Sequence, residues 1–192
     1  MRITGGQFRG RVLATPDDER VRPTADRVRQ AVFNILAHND FGIGFMLEGA
    51  RVADLFAGTG AMGLEALSHR ARYCLFVDSS ADSRALIRDN VETLGFTGTT
   101  KIWRRDATEL GAMSPGAGGP FDLVFLDPPY RQNLIAPALA SLRDSAWLAP
   151  RALVVAEHAR DETIPQVEQF TLLDTRFYGE TTVEFFAFAS HT

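Results

Sequence analysis

The sequence predicts an α/β domain: a doubly wound, mostly parallel sheet that ends in an antiparallel C-terminal hairpin, with a small N-terminal hairpin-and-helix extension. Three observations carry this expectation. Between residues 51 and 156, short strand-like apolar runs alternate with segments of helical periodicity, the pattern of βαβ units. The run Phe121–Leu126 is almost unbroken in its apolar character, as suits a strand covered on both faces. Near the C-terminus the alternation stops, and two strand-like runs meet at Tyr178-Gly179, which reads as a hairpin.

Taken in order, residues 1–15 arrange short apolar and polar pieces around Gly5-Gly6 and Gly10, predicting a small β-hairpin. Pro23 and Thr24 open a helix, with Thr24 as its N-cap. Val28, Ala31, Val32, Ile35 and Leu36 form its apolar stripe. Strands are expected at 51–56, 73–77, 100–103, 121–126 and 152–156, and helices at 62–68, 81–94 and 134–142. The closing strands fall at 170–177 and 182–188. The one low-complexity stretch, Gly111–Pro120, is expected to be a flexible surface loop. These elements divide the chain into an extension, residues 1–50, packed on a core, residues 51–192.

Composition narrows the function classes. At 192 residues, 45% hydrophobic and 23% charged, the chain fits one soluble domain. No stretch approaches the roughly 20 apolar residues of a membrane span. The opening Met1-Arg2-Ile3-Thr4-Gly5-Gly6 lacks signal-peptide character. The single cysteine, Cys74, excludes an intramolecular disulfide and leaves no cysteine cluster for a metal. A cytoplasmic, metal-free monomer is the expectation. The net charge of −4 argues against indiscriminate nucleic-acid binding. Its distribution is uneven, however: residues 1–29 hold seven arginines against four acids, and the remainder holds 13 basic and 20 acidic residues. A net-positive end on an acidic body fits either a local anionic partner or a solvated charged face.

The first core strand leads into Asp54-Leu55-Phe56-Ala57-Gly58-Thr59-Gly60-Ala61-Met62-Gly63, and Asp78 ends the next strand. Glycines 58, 60 and 63 satisfy G-x-G-x-x-G, in which glycine lets the backbone turn tightly against a ligand and the later acid accepts from ribose hydroxyls. That pattern alone does not separate a dinucleotide from S-adenosylmethionine. Asp54 favours the latter: a dinucleotide site expects an apolar residue there and a pyrophosphate over the helix N-terminus, whereas a strand-end carboxylate suits an α-ammonium. The block Asp54-Leu55-Phe56-Ala57-Gly58-Thr59-Gly60 resembles the first motif of Rossmann-like methyltransferases. Asp106-Ala107, after the third strand, resembles the next cofactor position, where Asp106 would face the adenine amino group and Ala107 would offer backbone.

Asp127-Pro128-Pro129-Tyr130 directly follows the apolar run 121–126. Ligands of open α/β sheets sit beyond the carboxyl ends of strands, so this loop is expected to face the crevice of the glycine loop. It resembles the D/N/S-P-P-Y/F motif of amino-methyltransferases acting on adenine, cytosine or guanine. The residue types suit that chemistry. An exocyclic base amine is a poor nucleophile because its lone pair is delocalised. Asp127 accepts one N–H and the Pro128 carbonyl the other, which orients the lone pair. Consecutive prolines stiffen the loop, and Tyr130 offers a face on which the base stacks. Methylation at cytosine carbon 5 would need a thiol nucleophile, but Cys74 sits mid-strand as a small core residue. His38, His69, His158 and His191 show no partner spacing, and Trp103 reads as core.

Across the chain, the opening M-R-I-T-G-G-Q-F-R-G-R, Arg22-Pro23-Thr24-Ala25-Asp26-Arg27-Val28-Arg29, the glycine block, F-D-L-V-F-L-D-P-P-Y and Tyr178-Gly179-Glu180-Thr181 resemble, in order, the bacterial 16S rRNA guanine-N2 methyltransferase family (RsmD). Glu180 departs from the Asp expected there. The resemblance implies a Rossmann-like fold and methyl transfer from S-adenosylmethionine to N2 of a guanine in small-subunit rRNA, within an assembled or assembling ribosomal particle. It implies catalysis by Asp127, Pro128, Pro129 and Tyr130. The cofactor would be held by Asp54, Phe56, Ala57, Gly58, Thr59, Gly60, Asp78, Ser79, Asp106 and Ala107. RNA phosphates would be held by Arg2, Arg9, Arg11 and Arg22 on the extension. The rival readings are an adenine-N6 methyltransferase, an NAD-dependent oxidoreductase and a non-catalytic RNA-binding factor.

Overall fold

The computed structural model describes residues 1–16 and 23–189. Arg22 therefore lies outside the described residues, as does the side chain of Thr24. Seven strands form one sheet in the order β3-β2-β1-β4-β5-β7-β6. They are β1 (Arg51–Leu55), β2 (Tyr73–Val77), β3 (Thr100–Trp103), β4 (Phe121–Leu126), β5 (Leu148–Ala159), β6 (Phe170–Tyr178) and β7 (Thr181–Phe188). The first five run parallel, and β7 and β6 close the sheet antiparallel.

Alternation along the strands explains the layers. Val52 of β1, Cys74 and Phe76 of β2, and Leu123 and Phe125 of β4 point to one face. There they meet α1 (Pro23–His38), α2 (Ala61–Ser68) and α3 (Ala81–Leu94). Ala53, Leu55, Leu75, Val77, Val124 and Leu126 point the other way, onto α4 (Ile135–Asp144) and the 110–120 loop. Burial on both faces is why β4 reads as an unbroken apolar run.

The extension shares the first of these cores. Ile3 and Leu13 are buried with Val28, Val32 and Phe33 of α1. Its hairpin is smaller than expected: one antiparallel bridge, Arg2 to Val12, closes over a 3-10 turn at Gly6–Phe8. Docking takes the place of a longer ladder. Glu65 of α2, with its side chain fully buried, accepts from the Thr4 amide (2.9 Å) and the Gly5 amide (2.6 Å). Ser68 Oγ accepts from the Phe8 amide at 2.9 Å and donates to the Gly5 carbonyl at 2.6 Å. Arg29, 4% exposed, pairs with Glu65 at 3.0 Å and with Asp26 at 2.8 Å.

Four expectations need correction. α1 begins at Pro23, so Thr24 lies within its first turn and is not the N-cap. The buried face of α1 comprises Val28, Arg29, Val32, Phe33 and Leu36, with Ala31 and Ile35 only half-buried. The stripe is rotated because Arg29 turns inward to Glu65. The Gly111–Pro120 segment is pinned rather than free. Ala117 is wholly buried, Tyr73 donates to its carbonyl at 2.9 Å, Trp147 Nε1 donates to Gly111 O at 3.0 Å, and Arg51 donates to Gly118 O. Finally, β5 starts at Leu148, running through Pro150 and Arg151 with an irregular register against β4, a start that proline and a charge conceal.

Candidate active site

The strand order places two loops together. From β1 the chain winds outward through β2 to β3, then returns to β4 on the other side of β1. This reversal opens a crevice at the carboxyl ends of β1 and β4, where Leu55 pairs with Leu126. The next residues in each chain are Phe56, which opens the glycine loop, and Asp127, which opens the proline loop.

A cleft of about 680 Å³ lies there, within the usual range for small-molecule sites. Phe56, Gly58, Asp78 and Ser79 line one side and Asp127, Pro128, Pro129 and Tyr130 the other. Met1, Thr15, Ala25 and Asp26 of the extension close it. A contiguous pocket adds Asp54, Ala57 and Thr59. Phe56 holds a positive φ of 57°, a strained conformation for a side-chain-bearing residue of the kind that clusters at functional sites.

The glycines divide the labour. A Cβ on Gly63 would stand 2.4 Å from Phe76 and 2.5 Å from Cys74 Sγ, so this glycine lets α2 press against β2. Gly58 has φ +55° and open space where its Cβ would be, so a ligand can approach its backbone closely. Asp78 fixes this turn: Oδ2 accepts from the Gly58 amide at 2.9 Å and Oδ1 from the Ser80 amide at 2.8 Å. Each oxygen keeps a lone pair for a further donor.

Asp54 sits at the cleft floor, 1% exposed, and Oδ2 accepts from the Gly63 amide at 2.9 Å. Burial pushes its carboxyl up to about 8; the Gly63 amide opposes this and the neighbouring Asp78 charge adds to it. Asp106 and Ala107 are not among the cleft-lining residues. The Asp106 carboxylate accepts from the amide and hydroxyl of Thr108, at 2.8 and 2.7 Å, which hold it below its ordinary range. Ala107 is buried.

Comparison with known proteins finds relatives over nearly the whole chain. The family model described as Conserved hypothetical protein 95 matches residues 1–187. The ribosomal RNA small subunit methyltransferase D of Escherichia coli is 39% identical over 168 residues, covering 87% of this chain and 79% of that protein. The protein of the same name from Haemophilus influenzae is 32% identical over 179 residues, 93% and 89% of the two chains. The solved structure of the yhhF protein from Escherichia coli superposes with a TM-score of 0.82 at 30% identity, over 100% of this chain and 99% of that one. The chain belongs to the ribosomal RNA small subunit methyltransferase D (RsmD) family.

Within this RsmD-family cleft, one residue escaped the sequence reading. Glu157 of β5 lines the cleft on the side of Asp127. The Tyr130 hydroxyl donates to its Oε1 at 2.5 Å and lies 3.0 Å from Thr181 Oγ1. Burial pushes the Glu157 carboxyl up, against the pull of the Tyr130 hydroxyl. Burial, then the Glu157 charge, pushes the Tyr130 phenol well up, so it stays a donor. A lone acid in the apolar run Val154-Val155-Ala156-Glu157 gives no motif, and its partners are remote in sequence. Thr181 follows the two-residue turn Gly179-Glu180, since Tyr178 pairs with Thr181. The late Tyr178-Gly179-Glu180-Thr181 block therefore supports Tyr130 through its last residue. On the extension, Arg2, Arg9 and Arg11 are exposed.

Proposed function

We propose that this chain transfers a methyl group from S-adenosylmethionine to the exocyclic N2 of a guanine in 16S ribosomal RNA. The observation that carries the reading is the convergence of the glycine loop and Asp127-Pro128-Pro129-Tyr130 on one cleft at the sheet's reversal point. Kinship with proteins named ribosomal RNA small subunit methyltransferase D supports the substrate class.

The residues present fit the cofactor. Asp54 offers a carboxylate to an ammonium at the cleft floor, and Asp78 with Ser79 offers acceptors for ribose hydroxyls. Phe56, Ala57, Gly58, Thr59 and Gly60 form the wall between them, with the Gly58 backbone open to close approach. Asp106 and Ala107, which follow β3, would face the adenine. When bound, the cofactor supplies an electrophilic methyl on a sulfonium.

The chain's own work is positioning and charge. Tyr130 stacks the base. Asp127 and the Pro128 carbonyl each accept one amine hydrogen and turn the nitrogen lone pair toward the methyl. With the cofactor bound, methyl transfer to the nitrogen would leave its sulfur as a neutral thioether, and the Asp127 carboxylate would take up the surplus proton. Residues 1–50 serve as the RNA-contacting extension and residues 51–192 as the catalytic unit, with Arg2, Arg9, Arg11 and Arg22 on phosphates. The enzyme acts as a cytoplasmic, metal-free monomer on an assembled or assembling particle.

With undermethylated small subunits and radiolabelled cofactor, the native chain should incorporate label. Asp127→Ala should lower kcat by about 100- to 1,000-fold with cofactor binding intact. Full activity in that variant would remove Asp127 from the mechanism.

A further inference from the structure

We propose that Glu157 accepts the ring N1–H of the target base and so makes the cleft selective for guanine over bases that carry a lone pair at that ring position. The inference rests on the methyl-transfer reading above and adds the residue that sets base choice.

Register puts Glu157 in place. Leu126 pairs with Ala156, so Asp127 and Glu157 are the next residues of neighbouring parallel strands, and both line the cleft with Tyr130. Tyr130 occupies Glu157 Oε1 at 2.5 Å, and Thr181 Oγ1 lies 3.0 Å from the same hydroxyl. Among the described residues, Oε2 accepts no hydrogen bond. The carboxylate is thus fixed in direction by the ring proposed to stack the base, with one oxygen left to accept.

The chemistry of the substrate supplies the need. Asp127 and the Pro128 carbonyl take both amine hydrogens, and they serve adenine, cytosine and guanine equally. The bases differ at the ring atom beside the amine-bearing carbon: guanine presents N1–H there, whereas adenine and cytosine present a lone pair. A carboxylate oxygen facing N1–H makes a charge-assisted hydrogen bond. The same oxygen facing a lone pair leaves two acceptors opposed in a half-buried site. A purely structural Glu157 would hold Tyr130 in place without sensing that ring atom.

The test uses small-subunit particles reconstituted with either guanine or 2-aminopurine at the target position. 2-Aminopurine keeps the methyl-accepting amine but lacks N1–H. The native enzyme should prefer guanine by about 10- to 100-fold in kcat/KM. In Glu157→Gln the preference should collapse, because the amide can turn its N–H toward the lone pair; the rate on guanine falls and that on 2-aminopurine rises. 2-Aminopurine also lacks the 6-oxygen, so a preference caused by that loss would persist unchanged in Glu157→Gln and would overturn the proposal. Equal use of both substrates by the native enzyme overturns it without any variant, so a Glu157→Gln chain that fails to fold does not shield it. No transfer to guanine by native enzyme that binds cofactor would instead sink the methyl-transfer reading itself.

Discussion

At Asp54 a carboxylate is buried at the cleft floor, held by the Gly63 amide and raised to about 8 by burial first. Its folded value lies above the ordinary 3.8, so its contribution to stability is full below that ordinary value and is lost as pH rises toward about 8. If Asp54 holds the cofactor's ammonium, binding must expel its proton. Calorimetric titration should show cofactor affinity rising by up to about tenfold per pH unit between about pH 6 and 8, with proton release. Asp54→Asn should flatten that profile. A native profile that is already flat, with no proton released, would remove Asp54 from the ammonium site. Asp127 was legible because it ends β4 directly before two prolines, Asp54 because it stands four residues before Gly58, and Asp78 because it follows the next strand. Glu157 was not: its meaning comes from Tyr130 and Thr181, which only the sheet brings to it.

Among the elements, α2 does two jobs. Its N-terminal end carries the glycine loop, and its C-terminal half holds the extension through Glu65 and Ser68. Burial tends to raise the Glu65 carboxyl, but His69, Thr4 and Arg29 together bring it below its ordinary value. Its stabilising share is therefore present above the ordinary value of 4.5 and is lost as pH falls through the lower folded one. Removing one partner of a buried, hydrogen-bonded ion pair costs about 3–5 kcal/mol. Glu65→Ala should lower the urea unfolding midpoint accordingly, at unchanged slope, and expose the extension to proteolysis. An unmoved midpoint would mean that hydrophobic packing of Ile3 and Leu13 alone holds the extension. The core strands were legible as short apolar runs because the parallel strands are buried on both faces, and α3 and α4 from the helical spacing of their buried residues. The hairpin was legible from its glycines, but the Glu65 and Ser68 bonds that dock it were not, nor was the pinning of Gly111–Pro120, because these are long-range hydrogen bonds with no local pattern.

For the whole molecule, strand order is the property that matters most. Alternating elements predicted a parallel sheet, but only the order β3-β2-β1-β4-β5 brings the glycine and proline loops side by side. The extension completes the arrangement: Met1, Thr15, Ala25 and Asp26 wall the cleft, while Arg2, Arg9 and Arg11 stand exposed on the docked hairpin. The remainder of the chain is acidic, with 13 basic and 20 acidic residues outside 1–29. A net-positive end thus borders the site on an otherwise acidic chain, and the net charge of −4 disfavours indiscriminate nucleic-acid binding. Phosphate contacts at that end would set the orientation of an RNA, and the cleft would choose the base. The atom that decides is the exocyclic nitrogen of that base. The most direct measurement digests small-subunit RNA after incubation with labelled S-adenosylmethionine and identifies the nucleoside that carries the label. N2-methylguanosine is the expected product; N6-methyladenosine, or label on duplex DNA in preference to ribosomal RNA, would contradict guanine-N2 transfer.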